Sequence, residues 1–276
     1  MIDSLLAIIL GIVEGFTEFL PISSTGHLIL VNQFITFDKG FTSLFDIVIQ
    51  LGAILAVVVF FWKRLWPFTL QTQGVPHSGQ ARLQINKEIL SIWFKTIIGI
   101  LPAVLLGALF ASKIEEKLFN PWTVAIALLI GGIIILIVEK KSTSPKITEI
   151  TSLSYKTAFF IGLIQCLSMI PGTSRAGATI IGAIILGASR MVATEFSFFL
   201  AIPTMIAAST WSLIKYREFL DLNRTFILSI GFFVSFVVAL VVIKFFINYV
   251  QKNNFKIFGY YRIILGIIII AYFLIK

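Results

Sequence analysis

Charge is scarce in this sequence. Of its 276 residues, 13% are Asp, Glu, Lys or Arg, whereas a soluble domain carries about 25%. With a hydrophobic share of 58% and a mean hydropathy of +1.00, the deficit excludes a water-soluble globule and leaves a polytopic membrane protein. Cysteine is almost absent: the single Cys166 excludes an intramolecular disulfide and a cysteine-rich metal site. A cleavable signal peptide is not expected, because MIDSLL offers no basic n-region and the first apolar run carries two glutamates. Acidic residues are few, and the net charge is +9. The basic residues lie in loops between apolar runs, where anionic headgroups and the positive-inside effect account for them, so nucleic acid is not an expected partner.

Apolar runs are plentiful. Six of them, at 41–62, 89–110, 121–139, 191–214, 225–247 and 258–275, are long enough to span a bilayer, which takes roughly 20 residues. Two further segments are interrupted. In 4–35 the break falls at Pro21-Ile22-Ser23-Ser24, and in 155–187 at Pro171-Gly172-Thr173-Ser174. Each half of these segments is roughly 12 to 17 residues, or about 18 to 26 Å of helix, short of a ~30 Å hydrocarbon core. Proline removes a backbone donor and its small polar neighbours favour turns, so both segments are predicted to enter and leave on one side as re-entrant hairpins. Non-helical backbone at that depth must be buried in protein or face a wet cavity. The predicted fold is an all-α polytopic membrane protein with six transmembrane helices and two re-entrant hairpins, one domain over 1–276.

The hairpins resemble each other. Gly11, Glu14, Pro21, Ser23 and Ser24 match Gly162, Gln165, Pro171, Thr173 and Ser174 with one residue of slippage. Phe45 with Phe196 and Gly52 with Pro203 match more weakly. The halves, approximately 1–140 and 150–276, form an internal repeat. Counting crossings gives them opposite orientations, an arrangement that sets broken helices face to face near the midplane. The inner loops hold eleven Lys or Arg against seven in the outer ones, which favours both termini outside.

Ionisable groups inside such segments are expensive and default to a functional reading. Glu14 and Glu18 share a helix face at i, i+4. Two carboxylates that close repel unless a proton or a cation sits between them. Oxygen ligands suit Mg²⁺ or Ca²⁺, which also bridges to phosphate, while a pair of protonated acids bonding across helices is the structural alternative. Ser23, Ser24 and Thr25 open the outgoing helix, where at least one caps and the others can bind an anion or supply a nucleophile. His27 follows Ser24 at i+3, near enough to act as its base or as acid to a leaving group, or to satisfy a buried acceptor. In the second hairpin Gly172, Thr173 and Ser174 let backbone approach an anion, and Arg175 offers a planar fork matched to phosphate. The structural alternative for Arg175 is a bond to backbone carbonyls or to Glu18. Thr179, at i+4 from Arg175, bonds the ligand or its own helix. Gln165 takes the place of Glu14 as an orienting amide. Asp46, Gln50, Glu195 and Ser197 are weaker supporting candidates, and His77 falls in a polar 69–88 loop where solvent exposure is expected.

These motifs resemble the bacterial undecaprenyl-diphosphatases of the bacitracin-resistance family. Glu14-Gly15-Phe16-Thr17-Glu18, running on through Pro21-Ile22-Ser23-Ser24-Thr25-Gly26-His27, is similar to the family's glutamate-rich motif. Pro171-Gly172-Thr173-Ser174-Arg175, with Thr179 after it, is similar to its Pro-Gly-x-Ser-Arg motif. Ile49 to Val57 and Glu195 to Phe198 also resemble family stretches. Ala176 departs from the serine often found there, and no acidic residue immediately precedes Tyr155. The resemblance implies hydrolysis of undecaprenyl diphosphate to the monophosphate, recycling of that carrier for peptidoglycan synthesis, and bacitracin resistance. It implies the bacterial cytoplasmic membrane and a site opening to the outer face. The expected partners are the lipid diphosphate and membrane lipid, with a homodimer left open.

The site expected from the residues has Arg175 and two helix N-termini cradling a diphosphate, with a divalent cation on Glu14 and Glu18. Ser24 is the first choice of nucleophile, with His27 or Glu18 taking its proton; a water activated by Glu18 or the metal is the other route. A transporter of a phosphorylated polyprenyl lipid is the competing class, since facing broken helices are a transporter architecture.

Overall fold

The computed structural model describes residues 2–72, 81–141 and 144–275, so His77 and Lys276 lie outside the described residues. The chain begins with α1 (Ile2–Thr17), α2 (Ser24–Val31), α3 (Lys39–Phe60) and the single turn α4 (Trp62–Leu65). Strands β1 (Phe68–Thr72) and β2 (Ala81–Ile85) follow, then α5 (Lys87–Leu118) and α6 (Pro121–Lys141). The rest is α7 (Tyr155–Gln165), α8 (Arg175–Ile185), α9 (Arg190–Lys215), α10 (Leu222–Lys252) and α11 (Lys256–Ile275). Among the described residues six helices are long and apolar enough to cross a membrane: α3, α5, α6, α9, α10 and α11. They coincide with the six expected runs. The protein is an all-α, multi-pass membrane protein.

Three local expectations are corrected. The polar 69–88 stretch is not all loop, because β1 and β2 pair antiparallel with Phe68 opposite Ile85. α5 runs past the expected end at 110 to Leu118, its last turns carrying the exposed Lys113, Glu116 and Lys117. The outgoing limbs are shorter than the expected minimum. α2 has 8 residues and ends where Asn32 turns to donate to Asp46 at 2.6 Å. α8 has 11 residues and stops before Gly187, whose φ of 96° lies in the left-handed region.

Sequence periodicity decides which side of each span meets lipid. On α6, Ile126, Ile130, Ile133 and Ile137 are exposed, while Val124, Leu128 and Ile135 are buried, and that buried face packs on α11. α9 is the most enclosed span and lies against α3, α5, α8 and α10. Its Phe196, Phe198 and Phe199 form the core, with Phe19 edge-on to Phe198 at 5.0 Å and Phe61 edge-on to Phe199 at 5.4 Å. Stacked Trp62 and Trp66 (4.9 Å) flank Lys63 and Arg64, the amphipathic composition of a membrane interface.

Lipid tails are as apolar as leucine, so helices associate there through close packing rather than hydrophobic drive. The incoming limb of each hairpin uses glycine for this. A Cβ on Gly15 of α1 would stand 2.5 Å from the Ser235 carbonyl oxygen of α10. One on Gly162 of α7 would overlap the Gly99 carbonyl oxygen of α5 outright. Backbone cannot yield as a side-chain tip does, so Gly162→Val should force α5 and α7 apart. The expected result is a melting temperature lower by at least ~5 °C in detergent. An unchanged melting curve would show the contact to be dispensable.

Candidate functional site

Two elbows build the site. In the first, α1 ends at Thr17, and the chain turns through residues 18–23 before α2 begins. In the second, α7 ends at Gln165, tightens into a 3₁₀ turn over Cys166–Met169, and resumes as α8. Each outgoing helix is capped by a serine in the left-handed region. Ser23 has φ 73° and accepts from the Gly26 N–H at 3.2 Å. Ser174 has φ 70° and accepts from the Gly177 N–H at 3.0 Å. A non-glycine residue held there costs about 1–3 kcal/mol and persists only where its surroundings over-determine it. These caps correct the expected register. Ser23, not Ser24, is the counterpart of Ser174, so the offset stays that of Gly11 and Gly162 with no slippage. Ser24 therefore stands opposite Arg175, the first residue of the other outgoing helix.

Those two residues meet on one carboxylate. The Ser24 hydroxyl donates to Oε2 of Glu18, and Nη2 of Arg175 donates to Oε1 at 2.9 Å. All three side chains are largely buried. Nη1 of Arg175 also donates to the Ser197 carbonyl oxygen at 3.0 Å, Nη2 lies 3.7 Å from Sδ of Met205, and Nε is buried without a partner. The guanidinium sits 5.8 Å from the ring centre of Phe19, so the same elbow supplies its ion-pair partner and an aromatic face.

Glu14 lies one turn behind Glu18, fully buried, and neither of its carboxyl oxygens has a hydrogen-bond partner. Gln165, at the matching place in the second hairpin, is also buried with both amide atoms unpartnered. A carboxylate so placed calls for a proton or a cation. Among the described residues no three His, Cys, Asp or Glu side chains gather into a closed metal cage. A hard cation would therefore draw on these two carboxylates and complete its shell from phosphate and water oxygens, as Mg²⁺ commonly does.

Other expected residues are differently placed. The Ser24–His27 hydrogen bond does not form: Nδ1 of His27 faces the Ser23 carbonyl at 2.7 Å and Nε2 faces the Tyr261 hydroxyl at 2.6 Å. A residue at i+3 on a helix shares the face but not the direction of Ser24, and the nearby carbonyl captures the ring. Thr179 is fully enclosed, donating to its own helix at the Arg175 carbonyl (2.9 Å) and lying 2.6 Å from Oγ of Ser197. It thus braces Ser197, which in turn holds Arg175. Thr25 is half-buried and its hydroxyl has no partner among the described residues. Asp46 is held by Asn32, Gln50 is half-buried, and Glu195 pairs with Arg64 across α9 and α4.

One residue that ties the elbows together is not among those the sequence singled out. Arg262 on α11 is 1% exposed and has no acidic partner among the described residues. Its guanidinium donates to the carbonyls of Pro21 (3.2 Å) in the first elbow, and of Gly172 (2.9 Å) and Thr173 (3.0 Å) in the second. It also bonds the Ala127 (3.0 Å) and Leu128 (3.4 Å) carbonyls of α6. The backbone of Gly172 and Thr173, expected to face an anion, therefore turns its carbonyls to this arginine. The signal was available: a lone charge in the apolar run 258–275 is an intramembrane ionisable group like the others.

Known proteins are similar to this chain along almost its whole length. The family described as "Bacitracin resistance protein BacA" matches residues 7–268. A protein of Lachnoclostridium phytofermentans named undecaprenyl-diphosphatase is 49% identical over 99% of this chain and 98% of its own length. Undecaprenyl-diphosphatase 1 of Clostridioides difficile is 50% identical over 97% and 95%, and a protein of Acetivibrio thermocellus with the undecaprenyl-diphosphatase name is 48% identical over 99% of both chains. With both elbows inside the matched region, the chain belongs to the bacitracin resistance protein BacA family.

Proposed function

We propose that this chain hydrolyses undecaprenyl diphosphate to undecaprenyl phosphate and inorganic phosphate, and that it does so where Glu18 joins the two elbows. The activity follows from the family and from relatives of that name over their full length. The observation that carries the site is the shared carboxylate: one oxygen receives the Ser24 hydroxyl, the other the Arg175 guanidinium. The product carrier would be reused in peptidoglycan synthesis, and bacitracin resistance goes with the family.

The roles follow from the contacts. An incoming phosphate competes with Glu18 and Ser197 for the fork of Arg175, whose unpartnered Nε is already available to it. Glu18, released from the guanidinium, keeps the Ser24 proton within reach and is its base in place of His27. Ser24 Oγ then bonds to the terminal phosphorus, the anhydride P–O bond breaks, and undecaprenyl phosphate leaves. Water next attacks the phosphoserine, frees phosphate and restores the hydroxyl. Arg175 and the N-termini of α2 and α8 stabilise charge on the transferring group. Glu14 and Glu18 would hold Mg²⁺ or Ca²⁺, which when bound supplies neutralising charge to the phosphate oxygens.

The two halves are read as an inverted repeat, a reading supported by the matching left-handed serine caps. Membership of the family supports a place in the cytoplasmic membrane with the site opening to the outer face, and the eleven-to-seven split of basic residues between the two sets of loops favours both termini outside.

Phosphate release by the purified protein is the direct test. Chelator should suppress it and added Mg²⁺ or Ca²⁺ restore it. Ser24→Ala should lower kcat by roughly 10²–10⁴-fold. Full activity in Ser24→Ala would replace the covalent route with direct attack by water, and full activity in chelator would remove the metal.

A further inference from the structure

α11 brings a second residue to the first elbow, next in sequence to Arg262. The Tyr261 hydroxyl is 2.6 Å from Nε2 of His27, and the two rings stack with centroids 5.7 Å apart and planes 10° from parallel. On the other side of the imidazole, Nδ1 lies 2.7 Å from the Ser23 carbonyl oxygen. A carbonyl oxygen only accepts, so Nδ1 carries the hydrogen. In the neutral ring Nε2 is then the acceptor, and the Tyr261 hydroxyl is its donor.

We propose that Tyr261 is a positioning residue for the reaction at the elbows: by capping Nε2 it holds His27 in the Nδ1–H tautomer, and that N–H holds the carbonyl of left-handed Ser23, which aims Ser24 at Glu18. The proposal rests on the reading of Glu18, Ser24 and Arg175 as the hydrolytic site. Three observations meet in it. Ser23 sits at φ 73°, a conformation that needs bracing from outside its own residue. Its carbonyl is the one the imidazole reaches. Ser24, the next residue, is already donating to Glu18. Both nitrogens of His27 are engaged, so the ring works on elbow geometry and the proton of Ser24 goes to the carboxylate. A ring that merely filled space at 261 would need no hydroxyl, and Tyr261→Phe keeps the ring and its stacking while removing that hydroxyl alone.

The chain has two histidines, so His77→Gln leaves His27 as the only imidazole. Nitrogen-15 NMR of this variant, labelled at histidine and held in detergent micelles, reads the tautomer directly. The expected spectrum has a protonated Nδ1 and an unprotonated, hydrogen-bonded Nε2. Adding Tyr261→Phe should shift the Nε2 resonance towards that of a free imine nitrogen. It should also lower kcat for phosphate release about tenfold with KM changed by less than about twofold. An Nε2–H tautomer in the Tyr261 protein, an Nε2 resonance unmoved by Tyr261→Phe, or an unmoved kcat overturns the proposal. Absence of phosphatase activity in the unmutated protein would instead overturn the site reading, and the spectra would still decide the tautomer.

Discussion

Arg175→Ala is expected to lower phosphate release by roughly 10³-fold or more, the scale seen when a donor to a transferring phosphoryl group is removed. Among the described residues the guanidinium is the one cation paired with Glu18, and it is only 11% exposed. Its loss also leaves a buried carboxylate without its charge partner, which typically costs about 3–5 kcal/mol. Activity and stability therefore fall together in the single variant, and a second variant separates them. Arg175→Ala with Glu18→Gln removes the orphaned charge and should regain most of the melting temperature while staying inactive. Arg175→Lys keeps the charge but loses the fork that reaches Glu18 and the Ser197 carbonyl together, so it should be intermediate in stability and strongly impaired in turnover. Near-normal hydrolysis by a folded Arg175→Ala protein would refute the phosphate clamp.

Arg262→Met should be the most damaging single change to the fold. It strips donors from five carbonyls in three separate segments. A hydrogen bond from a charged donor contributes about 1.5–3 kcal/mol, so even half the set approaches the roughly 5–15 kcal/mol that separates folded from unfolded chains. In lipid-depth surroundings there is little water to take the vacated carbonyls. The expected outcome is loss of the folded species on size exclusion in detergent, with Arg262→Lys partly folded because an ammonium has three donors on one atom and cannot span both elbows. An Arg262→Met protein with an unaltered elution profile and melting curve would show that the elbows hold together without it.

The spans were legible because a membrane helix needs a long apolar run and little else. The elbows were legible because proline and small polar residues inside such a run break the helix at a depth where lipid cannot satisfy the freed backbone. What could not be read was register and direction. A one-residue choice between Ser23 and Ser24 as the counterpart of Ser174 depends on which serine adopts a left-handed backbone, and sequence similarity favoured the wrong one. The partners of His27 depended on ring orientation, and one of them, the Tyr261 hydroxyl, comes from 234 positions away. Tyr261 carries no motif of its own, since an aromatic in an apolar span looks like packing. Thr179 had two satisfactory fates in the sequence, and only the arrival of Ser197 from α9 selects between them. Asn32 and Gly187 shortened the outgoing limbs through a side-chain contact and a backbone conformation that hydropathy does not register.

The glycine contacts of α1 and α7 bear on how a long-tailed lipid reaches the elbows. Where main chain lies directly on main chain there is no side-chain layer to act as lubricant, so the incoming limbs resist sliding against α10 and α5. Any opening towards the elbows therefore has to form away from these two seams.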